Sequence, residues 1–243
     1  MIIKMQDVIL FKEVHSMGYG VKFKVWGDYA CFTRPEMKVE RVSYDMMTPT
    51  AARGILEAIY WKPAIKWTID KIHVINPITF TNVRRNEVSE VAKLSSIKSA
   101  MEKGTSMHII APENRHQRAA LILRDVEYVI EAHFDLNPDK AGESDTIEKH
   151  YNIAIRRLRT GQYFHHPSLG TREFGASFEI IEDETEIPKS QLRGKMDLGY
   201  MLYDLNFKID EKAKKQSVDP AFFRAVLEDG ILDLTKIRDE VRS

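Results

Sequence analysis

Thr48-Pro49-Thr50-Ala51-Ala52-Arg53-Gly54-Ile55-Leu56-Glu57-Ala58-Ile59-Tyr60-Trp61-Lys62-Pro63-Ala64-Ile65-Lys66-Trp67-Thr68-Ile69 changes its hydrophobic period midway, and that change decides the fold. Thr48 offers a hydroxyl N-cap and Pro49 fits the first helical position, where a missing N–H costs nothing. Ala52, Ile55, Leu56, Ile59 and Tyr60 keep helical spacing until Pro63 stops the helix. Ile65, Trp67 and Ile69 then alternate as a strand that Ile72 and Val74 extend. Upstream, from Gly20, Val21, Phe23 and Val25 alternate with Lys22 and Lys24, and the strand runs on through Gly27 into Tyr29-Ala30-Cys31-Phe32. The first unit is therefore strand, helix, strand.

A second such unit follows. Leu121 to Phe134 reads as a strand whose alternation breaks at Arg124-Asp125, as at a bulge. Asp145 and Glu148 read as a capping box, opening a helix with an apolar stripe of Ile147, Tyr151, Ala154, Ile155 and Leu158 and a C-cap at Gly161. A loop, Gln162 to Gly170, leads to a fourth strand at about Arg172 to Ile181. This order predicts an α+β fold: a ferredoxin-like (RRM-like) βαββαβ domain over 20–187. After Pro188, a strand at Leu198 to Phe207 and a hairpin over Phe222 to Leu234, turned at Asp229-Gly230, predict a small antiparallel β-rich C-terminal addition over 188–243. Residues 76–118 read as a long irregular insertion. Residues 1–19 read as an N-terminal extension, either weakly ordered or upstream of a true start near Met17.

The chain has 243 residues and 43% hydrophobic content, enough for one large domain with an appendage. No apolar run approaches the ~18 residues of a membrane span, and Met1 to Val8 is too short and too polar for a signal peptide. Cys31 alone excludes a disulfide framework and a cysteine zinc site, so the reducing cytoplasm is expected. Thirty-six basic residues balance 36 acidic ones, which argues against indiscriminate nucleic-acid binding. The distribution is uneven: Lys149, Arg156, Arg157, Arg159 and Arg172 share a stretch with no acid from Tyr151 to Arg172. Such a patch suits one anionic ligand at one face.

RNA is cut without a metal when its own 2′-hydroxyl attacks the adjacent phosphate. The protein must move protons and stabilise charge on phosphorus. An imidazole titrating near neutrality suits the first task and an ammonium the second. Lys149 and His150 diverge by about 100° on a helix, yet both lie at its N-terminus, where free N–H groups favour an anion. Tyr60 adds a phenol able to orient the 2′-oxygen. The blander reading is a surface Lys149, a structural His150 and a core Tyr60 on its apolar stripe. His165-His166 lacks a carboxylate or cysteine partner at helpful spacing, so no metal site is expected there, and Gly170-Thr171-Arg172-Glu173-Phe174-Gly175 lacks the lysine of a P-loop.

Several long segments agree, in order, with a known family. They are Lys22 to Pro35, Ser43 to Pro63, Lys149-His150-Tyr151, Leu169 to Phe174 and Asp197-Leu198-Gly199-Tyr200-Met201-Leu202-Tyr203-Asp204. From about Gly20 onward the chain resembles the family-five CRISPR-associated proteins of the type I-C (Dvulg) subtype, in the repeat-associated mysterious protein (RAMP) superfamily. The resemblance implies a ferredoxin-like domain with a smaller β-rich part. It also implies a metal-independent endoribonuclease, with no cofactor, that cuts precursor CRISPR RNA at the base of the repeat hairpin. Such an enzyme stays on the 5′ handle beside the other subunits of a surveillance complex. By the same resemblance, Tyr60, Lys149 and His150 are the catalytic set. Arg156, Arg157, Arg159 and Arg172 are expected phosphate contacts, and duplex DNA is an open question. Two other classes compete: a non-cleaving subunit that caps the 5′ handle, and, last, a metal-dependent DNA nuclease, for which no carboxylate cluster is evident.

Overall fold

The computed structural model describes residues 19–37, 39–210 and 215–237; the expected extension, 1–19, lies outside them apart from Tyr19. The alternation at Val21 forms β1 (Val21–Ala30), with Val21, Phe23 and Val25 buried. Helix α1 (Pro49–Ile59) starts where the sequence places it, with the Thr48 hydroxyl accepting from the Ala51 N–H at 3.2 Å. Its buried stripe is Ala52, Ile55, Leu56 and Ile59, and the backbone turns extended at Tyr60, before Pro63 is reached. Strand β2 (Ile65–Val74) buries Ile65, Trp67 and Ile69.

The region expected to be irregular is ordered. It holds β3 (Phe80–Val88), helix α2 (Leu94–Lys103) and the start of β4 (Arg115–Leu136). Strand β3 pairs with β4 from Phe80↔Leu123 to Val88↔Arg115. Neither β3 nor α2 buries a residue, so the arm they form left no apolar period to read. At the expected bulge Asp125 has φ +52°, but the β1–β4 register is unshifted, Gly27↔Val126 leading directly to Tyr29↔Arg124, so the break in alternation is a local backbone turn and not a bulge in that pairing.

Helix α3 (Ile147–Thr160) ends at Gly161 as expected, but its start corrects the capping box. Thr146, not Asp145, is the N-cap, accepting from the Lys149 N–H at 3.2 Å. Strand β5 (Ser177–Ile180) is shorter than the expected Arg172 start. It is followed by β6 (Lys195–Asp210), β7 (Lys215–Glu228) and β8 (Ile231–Asp233), the last two turning at Asp229-Gly230. Both turn residues have positive φ, +50° and +79°, the geometry for which an Asp-Gly pair is suited.

The main sheet runs β5-β1-β4-β2-β8-β7-β6, with β3 on the remaining length of β4, and the named pairs are antiparallel. The C-terminal hairpin thus joins through β8 against β2. Helices α1 and α3 share one core with the inner face of these strands, built on Phe23, Trp67, Tyr128 and Phe134. The expected α+β class is therefore observed. Across the sheet, α1 is tied to β6 by a two-pronged ion pair, Arg53 to Asp204 at 2.5 and 2.6 Å. Among the described residues no helix is long and apolar enough to cross a membrane.

Candidate active site

The end of α1 and the start of α3 meet against β4. Tyr60 leaves α1 in extended backbone, and its carbonyl accepts from the Trp67 indole N–H at 2.8 Å, so the α1–β2 connection fixes the phenol. His150 lies on the inner side of the first turn of α3, with Phe134 edge-on to its ring at 6.4 Å. These supports bring the Tyr60 hydroxyl and His150 Nδ1 to 2.7 Å. Both residues are 2% exposed.

Asp145 completes the arrangement from the other side of the ring. Its Oδ1 lies 3.2 Å from His150 Nε2, within ion-pair reach but off the line of a good hydrogen bond. The same oxygen accepts from Lys149 Nζ at 2.9 Å, and Lys149 also donates to the Ser144 carbonyl at 3.1 Å. Three of the four groups therefore form a chain, phenol to imidazole to carboxylate, and the ammonium joins at the carboxylate. Sequence reasoning took Asp145 for a cap. What identifies it otherwise is its spacing, four residues before Lys149 and five before His150.

Charge follows from these contacts. A hydrogen bond from the Gly142 N–H, then Lys149, holds the Asp145 carboxyl down at about 2. Burial lowers the His150 pKa below its ordinary value, against the Asp145 charge, which raises it; nearby Lys149 lowers it further. The imidazole is thus neutral at pH 7. A carboxylate beside Nε2 favours the tautomer with the proton there, leaving Nδ1 to accept from the Tyr60 hydroxyl. Burial raises the Tyr60 pKa, offset in part by Arg157, whose guanidinium lies 5.2 Å over the phenol ring.

The four arginines do not converge on one point. Arg156 is exposed on α3. Arg157 turns inward, donating from Nη1 to the Ile59 carbonyl at 2.6 Å. Arg159 is paired, its Nε donating to Glu182 at 2.6 Å, an acid too distant in sequence to foresee. Arg172 is exposed and lines a cleft of about 620 Å³ with Gly54, Ala58, His165 and His166. Among the described residues no group of three or more His, Cys, Asp or Glu is placed to hold a metal ion.

Comparison with known proteins places this chain in a family. A family model described as CRISPR-associated protein (Cas_Cas5), the Cas5d type, matches residues 20–235. A protein of Mannheimia succiniciproducens, named CRISPR pre-crRNA endoribonuclease Cas5d, is 47% identical over 223 residues, covering 90% of this chain and 96% of the relative. A protein of the same name from Thermus thermophilus is 39% identical over 226 residues, covering 88% and 90%. Among solved structures, a crystal structure of a CRISPR-associated protein aligns at TM-score 0.61 with 25% identity, covering 88% of this chain and 90% of that one. A functionally uncharacterised Streptococcus mutans protein, SMU1763c, shares the fold at TM-score 0.62 and 24% identity, covering 88% and 91%. With nearly its whole described length matched by the family model and by two relatives well above 30% identity, the chain belongs to the Cas5d family of CRISPR-associated proteins.

Proposed function

We propose that this chain is an endoribonuclease that cuts precursor CRISPR RNA within each repeat, at the base of its hairpin. We further propose that it remains on the 5′ handle beside other subunits of a type I-C surveillance complex. Two relatives carrying the endoribonuclease name support the activity. The observation that carries the site is the 2.7 Å contact between the Tyr60 hydroxyl and His150 Nδ1, two residues 90 positions apart.

In this reading the 2′-oxygen forms a bond to the adjacent phosphorus and the bond to the 5′-oxygen breaks. The 2′-hydroxyl proton passes to the Tyr60–His150 pair, His150 being the neutral acceptor, and a proton returns to the departing 5′-oxygen. Asp145 holds the imidazole tautomer, and Lys149 Nζ stabilises the negative charge growing on the phosphorane. The ends formed are a 2′,3′-cyclic phosphate and a 5′-hydroxyl, and the step as written needs no metal or cofactor. Arg156, Arg157, Arg159 and Arg172 serve the RNA backbone. For Arg159 this requires exchange of its Glu182 partner for phosphate.

The strand order β5-β1-β4-β2, with a helix crossing after β1 and another after β4, supports a ferredoxin-like unit over 20–187 and a β-rich addition over 188–243. Cys31, buried and unpaired, supports a cytoplasmic setting.

A second reading has its own observation. Tyr60 and His150 are buried, while Lys149 is 43% exposed, so the substrate must open the cover over the phenol and imidazole before either acts. A protein that never opens would be a handle-binding subunit. Incubating the purified protein with its cognate repeat RNA in excess EDTA separates the two. A single cut leaving a 2′,3′-cyclic phosphate is the expected result. A 3′-hydroxyl end would sink the mechanism, and tight binding with no cut would establish the handle-binding role.

A further inference from the structure

Helix α1 carries a glycine that its own fold does not require. Gly54 sits in the middle of the helix without a positive φ, and a Cβ built there meets nothing within 4 Å. Glycine in a helix interior is less stable than alanine. The empty space it leaves is the shared floor of two adjoining clefts, of about 620 and 630 Å³, which also share Ala58 and His165. Ala51, Gly54 and Ala58 make this face of the helix smooth, so that a backbone can lie against it.

The walls have a consistent chemistry. The loop Gln162–Gly170 is pinned to the end of α1, where the Ala58 carbonyl accepts from the Phe164 and His165 N–H groups at 2.9 and 3.1 Å. The pinned Phe164 is 73% exposed, its ring braced edge-on by His165 at 4.4 Å. Trp61, which lines the same cleft, is 54% exposed. Arg172 lines one cleft and Lys62 the other, and neither makes an ion pair among the described residues. The one acid in the lining, Glu57, lies 3.5 Å from Arg53. Arg157 also lines the second cleft while lying over the Tyr60 ring, which connects the groove to the buried phenol.

We propose that this groove is a binding site for single-stranded RNA nucleotides, in which the backbone passes over Gly54 between Arg172 and Lys62, and bases stack on Trp61 and Phe164. Exposed aromatic rings above an unpaired cationic track are the pattern that holds unpaired strands, because every base has a face to stack and every linkage a charge. A duplex keeps its bases stacked on one another and offers these rings nothing. The identity of the ligand rests on the RNA-cleaving reading above; the groove itself does not.

The test uses a single-stranded RNA hexanucleotide, a duplex of the same length and the full repeat RNA. Each is titrated against the wild type and the Gly54→Leu, Trp61→Ala and Trp61→Phe variants. Gly54→Leu fills the groove from a site with open space around it, so its thermal midpoint should equal or exceed that of the wild type. Its hexanucleotide Kd should rise by about tenfold or more. Trp61→Ala should weaken binding by roughly 5- to 100-fold, the loss of about one base stack, and Trp61→Phe should recover most of it. Unchanged Kd in well-folded Gly54→Leu and Trp61→Ala proteins overturns the groove, as does equal competition by the duplex. Loss of binding to a partner subunit, with RNA affinity intact, also overturns it. In each of those cases continued cutting of the full repeat leaves the cleavage reading standing, whereas a wild type that binds none of the three RNAs removes both.

Discussion

The Tyr60 hydroxyl and His150 Nδ1 are hydrogen-bond partners of one another. Removing the hydroxyl in Tyr60→Phe leaves Nδ1 buried and unpaired, which should cost about 1–3 kcal/mol of stability by urea unfolding. The same change should slow cleavage by about 100-fold or more with RNA affinity retained; unaltered cleavage would take Tyr60 out of the mechanism. The buried imidazole also sets a pH dependence. Its folded pKa lies below its unfolded value of about 6.5, so the unfolded chain binds the extra proton first. The stabilisation from neutral His150 is complete above about pH 6.5 and is lost as pH falls from there toward the folded pKa. Urea midpoints at pH 7.5 and 5.5 should therefore differ more for the wild type than for His150→Asn, and equal differences would contradict a depressed pKa. Nothing local in the sequence says that two positions 90 apart touch, and only the family resemblance put Tyr60 and His150 in one set.

Elements that bury one face were readable, and those that bury none were not. The strands β1 and β2 and helix α1 alternate or repeat apolar residues because one side of each meets the shared core. Strand β3 and helix α2 project with no buried residue, so a real strand and a real helix read as irregular chain. The cap of α3 failed for another reason. Asp145 and Thr146 are both good N-cap residues, and only the folded chain shows that Asp145 is engaged by Gly142, Lys149 and His150 while Thr146 caps. Thr146→Ala should then cost about 1 kcal/mol in urea unfolding, the ordinary loss of an N-cap. Because that turn carries Lys149 and His150, cleavage should fall as well, and a variant as stable as the wild type would return the cap to Asp145.

The whole molecule holds its site between segments far apart in sequence, and the C-terminal strands contribute to holding it. The Arg53–Asp204 pair fixes α1, which delivers Tyr60 and floors the groove, against β6. Asp204→Asn should cost about 1–3 kcal/mol, the range for a charge-assisted hydrogen-bonded pair losing one charge, and should weaken cleavage along with stability. Unchanged unfolding would mean that β6 does not support the helix. The order of the core strands and helices was legible because each kept its own period, β3 and α2 excepted, whereas the junction of four polar groups at the meeting of α1 and α3 exists only in three dimensions. That junction is the central claim, and cleavage of cognate repeat RNA in excess EDTA by the wild type beside a Lys149→Ala/His150→Ala variant tests it most directly. The account predicts one cut by the wild type and none by the variant, with RNA affinity retained in both. A variant that binds and cuts like the wild type would contradict it.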